Sequence, residues 1–310
     1  MSEPELARLG HVALETPDLD ESMAFFHDAV GLEVVDREET TAYLRAADEF
    51  DHHSLILSES ESAGVSHIGW QTREPEHVSA FADRLTEQGI DVTWIGAGDE
   101  LGQGEAIRFR TRNGHEFEIY YEMEKPDPPE ERRSRLRNRV YSPTETNPIA
   151  PRDIDHVQIW DPDVVRISEW LQETLGFEVH EYYDLEDGSR WGTWLSAGGC
   201  KIDVAIIRDD DADVASFNHV AYTVDNANAL FDAYDAMKER ELPVDGLGQH
   251  SVSRGKFCYT RDPVTDHRIE FSDGGYVVFD PNWEPIAWNE TDLEERQWIG
   301  GFDGLESVRY

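Results

Sequence analysis

Gly10-His11-Val12-Ala13-Leu14 and Asp155-His156-Val157-Gln158-Ile159 open two stretches built on one plan. Each starts as a short apolar strand, runs into an amphipathic helical stretch and resumes at a glycine-led strand. Those second strands read Gly31-Leu32-Glu33-Val34 and Gly176-Phe177-Glu178-Val179. The spacing is kept, for His11 and His156 stand 145 residues apart, and so do Gly31 and Gly176. A second pair, Ser66-His67-Ile68-Gly69-Trp70 and Asn218-His219-Val220-Ala221-Tyr222, leads into predicted helices over 77–88 and 227–240. The closing strands, Phe117-Glu118-Ile119 and Ile269-Glu270-Phe271, hold that second register, with His67 and His219, like Glu118 and Glu270, 152 residues apart. The fold class that follows is α+β, with four βαβββ modules in two tandem halves.

The repeats also place the boundaries. We expect an N-terminal domain over 1–122, a linker over 123–152, a C-terminal domain over 153–275 and a tail over 276–310. The linker carries Pro126, Pro128, Pro129, Pro143 and Pro148 around a charged stretch, 130–140, that reads as a helix. The tail holds Trp283, Trp288 and Trp298 without periodicity and is expected to cover the C-terminal half.

Composition narrows the function classes. With 9 Trp, 11 Tyr and 13 Phe, a chain that stays unfolded is excluded. No run approaches the roughly 20 apolar residues of a membrane span, and no charged-then-apolar leader precedes Leu9, so a soluble cytoplasmic protein is expected. The 66 Asp and Glu against 27 Lys and Arg give a net charge of −39, which makes nucleic acid a poor partner. Only four residues are lysine (Lys125, Lys201, Lys238, Lys256), and the acids are spread throughout. That balance resembles proteins of extreme halophiles, since self-repulsion is screened within about 3 Å at 1 M salt. Cys200 and Cys258 are expected to be reduced core residues.

The chemistry-bearing residues lie on the repeated strands. His156, His219 and Glu270 could hold one face of an octahedral metal and leave three positions open. A strand histidine taken alone is an ordinary core residue, and the shared placement on repeated strands is what points to a metal. His11, His67 and Glu118 occupy the equivalent places in the first half and form a candidate second metal set. His52 and His53 are strand neighbours facing opposite ways, so at most one could join a cluster.

Longer strings carry a resemblance. They are Thr41-Ala42-Tyr43-Leu44-Arg45, His52-His53-Ser54-Leu55-Ile56-Leu57 and Gly248-Gln249-His250-Ser251-Val252-Ser253, continued by Tyr259, Arg261-Asp262-Pro263 and His267-Arg268-Ile269-Glu270. Over nearly the full length the chain resembles the type I extradiol ring-cleaving dioxygenases of the vicinal oxygen chelate superfamily, in particular the homoprotocatechuate and catechol 2,3-dioxygenase branch. The resemblance implies two vicinal-oxygen-chelate domains, each an open mixed β-barrel, the N-terminal one metal-free. It implies extradiol cleavage of a catechol-type aromatic substrate with both atoms of O2 incorporated. His156, His219 and Glu270 would be the ligands of Fe(II), a set that Mn(II) suits as well. His250 would donate a hydrogen bond to bound oxygen or substrate, Tyr259 would orient a substrate hydroxyl, and Trp194 and Arg296 would contact the substrate. Relatives of this kind assemble as homo-oligomers, so a tetramer or dimer is expected.

The chain departs from that pattern in two places. Gly199-Cys200-Lys201-Ile202-Asp203-Val204-Ala205 puts Ile202 where the family has an acid–base histidine, and an alkyl side chain can neither donate nor accept a proton. Asp245 stands where the branch has a substrate-binding arginine, which leaves Arg296 as the single cation and points to a weakly acidic or neutral catechol. The alternatives are a non-oxidative metal-dependent isomerase, lyase or thiol transferase of the same superfamily, or a metal-free ligand-binding module.

Overall fold

Strand β1 (Leu6–Thr16) runs into helix α1 (Leu19–Ala24), whose cap residue Asp18 accepts the Glu21 amide at 3.0 Å. The helix winds on in wider turns through Phe25–Val30 and stops at Gly31, whose φ of 97° is left-handed backbone that a side chain resists. Gly176 repeats this stop at φ 78°. Strands β2 (Glu33–Arg37), β3 (Thr41–Arg45) and β4 (Leu55–Glu59) complete the first module. The second comprises β5 (Gly64–Thr72), α2 (Glu76–Glu87), β6 (Val92–Ile95), β7 (Ala106–Arg110) and β8 (Glu116–Tyr120).

The other half repeats the plan. Its third module is β9 (Asp153–Asp161), α3 (Val164–Trp170), β10 (Glu178–Asp184), β11 (Arg190–Ser196) and β12 (Val204–Arg208). The fourth is β13 (Ser216–Thr223), α4 (Ala227–Glu239), β14 (Val244–Gln249), β15 (Lys256–Arg261) and β16 (Arg268–Ser272). In this computed structural model the described residues are 3–127, 130, 133, 135, 149–209, 215–280, 282–292, 298 and 299. The repeat-based α+β plan is therefore what the chain adopts, with α2 and α4 within one residue of the expected bounds. Most of the helix expected over 130–140 lies outside the described residues.

The first half forms one eight-stranded mixed sheet in the order β2-β3-β4-β1-β5-β8-β7-β6. The second half has the same inner order, β10-β11-β12-β9-β13-β16-β15-β14. There β17 (Ile286–Trp288) and β18 (Trp298–Ile299), both from the tail, pair with the two outer strands and cover edges that would otherwise present bare backbone. Each pair of modules meets at its histidine strands: β1 lies antiparallel to β5, which lies parallel to β8, and β9, β13 and β16 repeat that arrangement.

Strand alternation then decides which side chains face the site. On β9, Val157 and Ile159 turn into the core beside Val220, Ile269 and Phe271. His156 and Gln158 turn the other way, into a cavity. Buried polar contacts join the halves: Ser22 Oγ donates to Asp262 Oδ2 at 2.7 Å, and the Ile154 amide donates to Glu49 Oε1 at 2.8 Å. One expectation is corrected, because Cys200 is exposed in the turn between β11 and β12 next to Gly198 and Gly199, and only Cys258 is buried.

Candidate metal centre and active site

His156 on β9, His219 on β13 and Glu270 on β16 converge. His219 Nε2 lies 2.9 Å from Glu270 Oε2, His156 Nε2 lies 3.5 Å from the same oxygen, and the two Nε2 atoms are 3.4 Å apart. For metal–ligand bonds of about 2.0–2.2 Å, ligands at right angles stand about 3 Å apart, so this donor set fits a divalent ion. The rings are oriented for the task. Asp155 Oδ2 accepts from His156 Nδ1 at 3.1 Å, and Asn218 Oδ1 from His219 Nδ1 at 2.6 Å. Both contacts put the ring proton on Nδ1 and turn the Nε2 lone pair to the shared point.

Electrostatics tie the three groups together. Burial opposes a charge on Glu270, but its contacts with His156 and His219 outweigh it and hold its carboxyl well below the usual range. Burial likewise opposes a charge on His156, yet its bonds to Asp155 and Glu270 raise it to about 10. Burial wins at His219, which falls to about 4. One carboxylate thus shares one proton with two imidazoles, and a divalent ion would take that proton's place. The His156 side chain is 18% exposed while those of His219 and Glu270 are nearly closed off, so the face opens on the His156 side.

That side is a cavity of about 610 Å3. Tyr259, opposite Glu270 in the β15–β16 register, brings its hydroxyl to 3.1 Å from His250 Nε2. The His250 ring stacks on Phe257 with centroids 4.1 Å apart, and the Tyr259 ring lies 3.7 Å from the Arg268 guanidinium carbon. Burial pushes His250 down to about 4, so it is neutral at pH 7. Trp194 and Ile202 line the same cavity. Asp245 pairs with Tyr259 through the backbone and is absent from the cavity lining, whereas Arg296 lies outside the described residues.

The first half brings its own set together. His11 Nε2 and His67 Nε2 are 2.9 Å apart, with Glu118 Oε1 3.6 Å from His11. Glu100, from the loop between β6 and β7, joins them. Burial pushes both imidazoles well below their ordinary value. Neither His52 nor His53 enters a metal-holding group among the described residues.

With this geometry in hand, the known proteins that the chain is similar to can be set beside it. The Glyoxalase/Bleomycin resistance protein/Dioxygenase superfamily matches residues 153–271, and the catechol 2,3-dioxygenase-like N-terminal domain matches 65–124. A manganese-dependent 2,3-dihydroxybiphenyl 1,2-dioxygenase from Geobacillus genomosp. 3 is 44% identical over 293 residues, 94% of this chain and 92% of the relative. A metapyrocatechase from Geobacillus stearothermophilus is 31% identical over 96% of this chain and 90% of its own. The chain belongs to the type I extradiol dioxygenases of that superfamily. The crystal structure of the 2,3-dioxygenase LapB from Pseudomonas sp. KL28 superposes on 94% of this chain and 100% of its own, with a TM-score of 0.84 at 27% identity.

Some residues of these sites escaped the sequence. Trp191, Ile207, Tyr276 and Glu290 line the cavity but stand in no motif. Asp155 and Asn218 were within reach, since each is the polar residue directly before a metal-facing histidine. Arg108 was legible too, because it stands opposite Glu118 as Tyr259 stands opposite Glu270. Glu100 had no signal, as its loop, 96–105, is longer than the corresponding loop between β14 and β15, 250–255.

Proposed function

We propose that this extradiol dioxygenase opens the ring of an apolar, aryl- or alkyl-substituted catechol at the bond next to the diol, incorporating both atoms of O2. The observation that carries the proposal is a two-histidine, one-carboxylate face that opens on a mainly apolar cavity beside the His250–Tyr259 pair. His156, His219 and Glu270 would hold Fe(II) or Mn(II), both of which suit this set. The metal would supply redox activation of O2, which as a triplet reacts slowly with a closed-shell ring, and would lower the proton affinity of the diol.

The chain's own groups do the rest. Trp191, Trp194, Leu185, Ile202 and Ile207 offer an apolar bed for a ring and its substituent. Among the described lining residues Glu290 is an acid and none is lysine or arginine, so no described cation there pairs with a substrate carboxylate. The 44% identical relative, named for 2,3-dihydroxybiphenyl and manganese, supports an uncharged aryl substituent and Mn(II). Tyr259 Oη takes the hydrogen bond of a diol hydroxyl. His250, neutral and joined to that phenol, can accept a proton at one ring nitrogen while donating from the other. With Ile202 in the wall, proton handling rests on this pair.

A high-salt cytoplasm, where the −39 charge is screened, and a tetrameric or dimeric assembly belong to the same proposal. The deciding experiment is oxygen uptake in molar KCl by metal-loaded chain, with 2,3-dihydroxybiphenyl, catechol and homoprotocatechuate, while following a yellow ring-opened product. Uptake and colour strongest with the biphenyl diol and lost in Glu270→Ala are expected. Folded, metal-loaded chain that consumes no oxygen on any of the three would turn the assignment to a non-oxidative metal enzyme.

A further inference from the structure

The group in the first half differs from the catalytic one in being closed. His11, His67 and Glu118 are buried on β1, β5 and β8, and the loop over 96–105 adds Glu100 as a fourth donor, with one ligand atom from each within 4.8 Å of the others. None of the four lines the 610 Å3 cavity. Around His11 Nε2 the neighbours stand at 2.9 Å (His67 Nε2), 3.6 Å (Glu118 Oε1) and 3.9 Å (Glu100 Oε2). For bonds of about 2.0–2.1 Å the edges of a ligand tetrahedron are about 3.3 Å, in the middle of that range. We propose that His11, His67, Glu100 and Glu118 form a second, structural site for a divalent cation, Zn2+ by the chemistry of a closed four-ligand set.

The surroundings are arranged as around a ligated ion. Arg108 donates Nε to Glu118 Oε2 at 2.6 Å and Nη2 to Glu100 Oε1, so one guanidinium steadies one oxygen of each carboxylate. The other oxygens remain directed at His11. Glu118 Oε1 there accepts Gln103 Nε2 at 2.6 Å, and Glu100 Oε2 is buried with no hydrogen-bond partner. His67 Nδ1 meets Ser66 Oγ at 3.2 Å, which orients that ring. The His11 ring sits over Gly69, where a Cβ would lie 2.2 Å from it, so the backbone leaves room for the imidazole. Arg108 Nη2 also lies 3.4 Å from His67 Nε2, and this contact and the His11–His67 bond both give way when the ion enters. The ion would pin the loop over 96–105 to the three central strands, so its role is cohesion rather than chemistry.

The test separates the two sites. In the full chain carrying His219→Ala and Glu270→Ala, equilibrated with buffered Zn2+ and desalted, elemental analysis is expected to find one zinc per chain, and two in the unmodified chain. Adding His67→Ala to the double variant should bring the count to zero. Co2+ in place of Zn2+ should give the intense visible bands of a four-coordinate ion, and Zn2+ should raise the melting temperature of the double variant but not of its Glu100→Ala derivative. A folded double variant that keeps no zinc and shows no cobalt bands overturns the site, and Arg108 then balances the two carboxylates by itself.

Discussion

We expect the Asp155 carboxylate to set how tightly the His156, His219 and Glu270 group holds an ion. Asp155 is buried, accepts from His156 Nδ1 at 3.1 Å and has Lys201 Nζ 3.6 Å from its other oxygen. Replacing it by Asn keeps shape and an acceptor but removes the charge that makes His156 a stronger base. A partner of this kind is worth about 10- to 100-fold in metal affinity, or roughly 1.4–2.7 kcal/mol. His219 provides the internal control, because its ring is already held by a neutral amide, Asn218, at 2.6 Å. Asn218→Ala removes a neutral hydrogen bond worth about 1 kcal/mol, a loss of about fivefold. Competition against a chelator of known affinity, with Mn2+ at fixed pH, measures both. The expected order is Asp155→Asn weaker than Asn218→Ala, with turnover per loaded centre within a few-fold of the parent for Asp155→Asn. Equal affinity in Asp155→Asn and the parent would refute the role given to the carboxylate.

Three further outcomes follow from the same contacts. Tyr259→Phe removes the phenol beside His250 and should lower kcat about 10²-fold or more with a much smaller change in KM, as steady-state oxygen uptake would show. Glu181, buried on β10, accepts from Tyr276 Oη, Trp288 Nε1 and, at 2.9 Å, the Ser253 amide, so Glu181→Leu should orphan three donors. The cost should be at least ~3 kcal/mol in urea unfolding, and limited proteolysis should cut the tail faster than in the parent. Burial raises Glu49 to about 7 despite bonds from Ser54, Ile154 and Ala46, so its contribution to stability is full below its ordinary value and lost as pH rises through 7. Glu49→Gln should therefore reduce the loss of stability between pH 4.5 and 7.5 by ~3 kcal/mol relative to the parent.

Repetition made the fold legible, because a strand, a helix and a glycine stop recur at one spacing and the stop has a physical cause at Gly31 and Gly176. The convergence of His156, His219 and Glu270 was legible for the same reason, since parallel and antiparallel pairing of β9, β13 and β16 can bring them to one face. The cavity wall was not. Trp191, Ile207 and Glu290 reach it from β11, β12 and the tail, and their convergence depends on sheet twist and chain closure rather than on any local pattern. Cys200 departs from the rule that a free cysteine packs in the core, because the paired glycines before it make a turn.

The two halves show how one register can give an open and a closed site. In both, the residue opposite the closing-strand glutamate reaches the cluster: Tyr259 in one, Arg108 in the other. A phenol joined to His250 leaves the metal face accessible and adds a group that can handle protons at the substrate. A guanidinium bridging Glu100 and Glu118 fills that same space with fixed charge and draws a loop down as a fourth wall. The half that faces the cavity thus differs from the other in what it leaves out as much as in its donors. Placing an arginine at position 259 should bring a guanidinium to Glu270, as Arg108 is brought to Glu118. That guanidinium would take the place of the phenol beside His250, so the variant should keep its metal and lose turnover, as metal analysis and oxygen uptake would show.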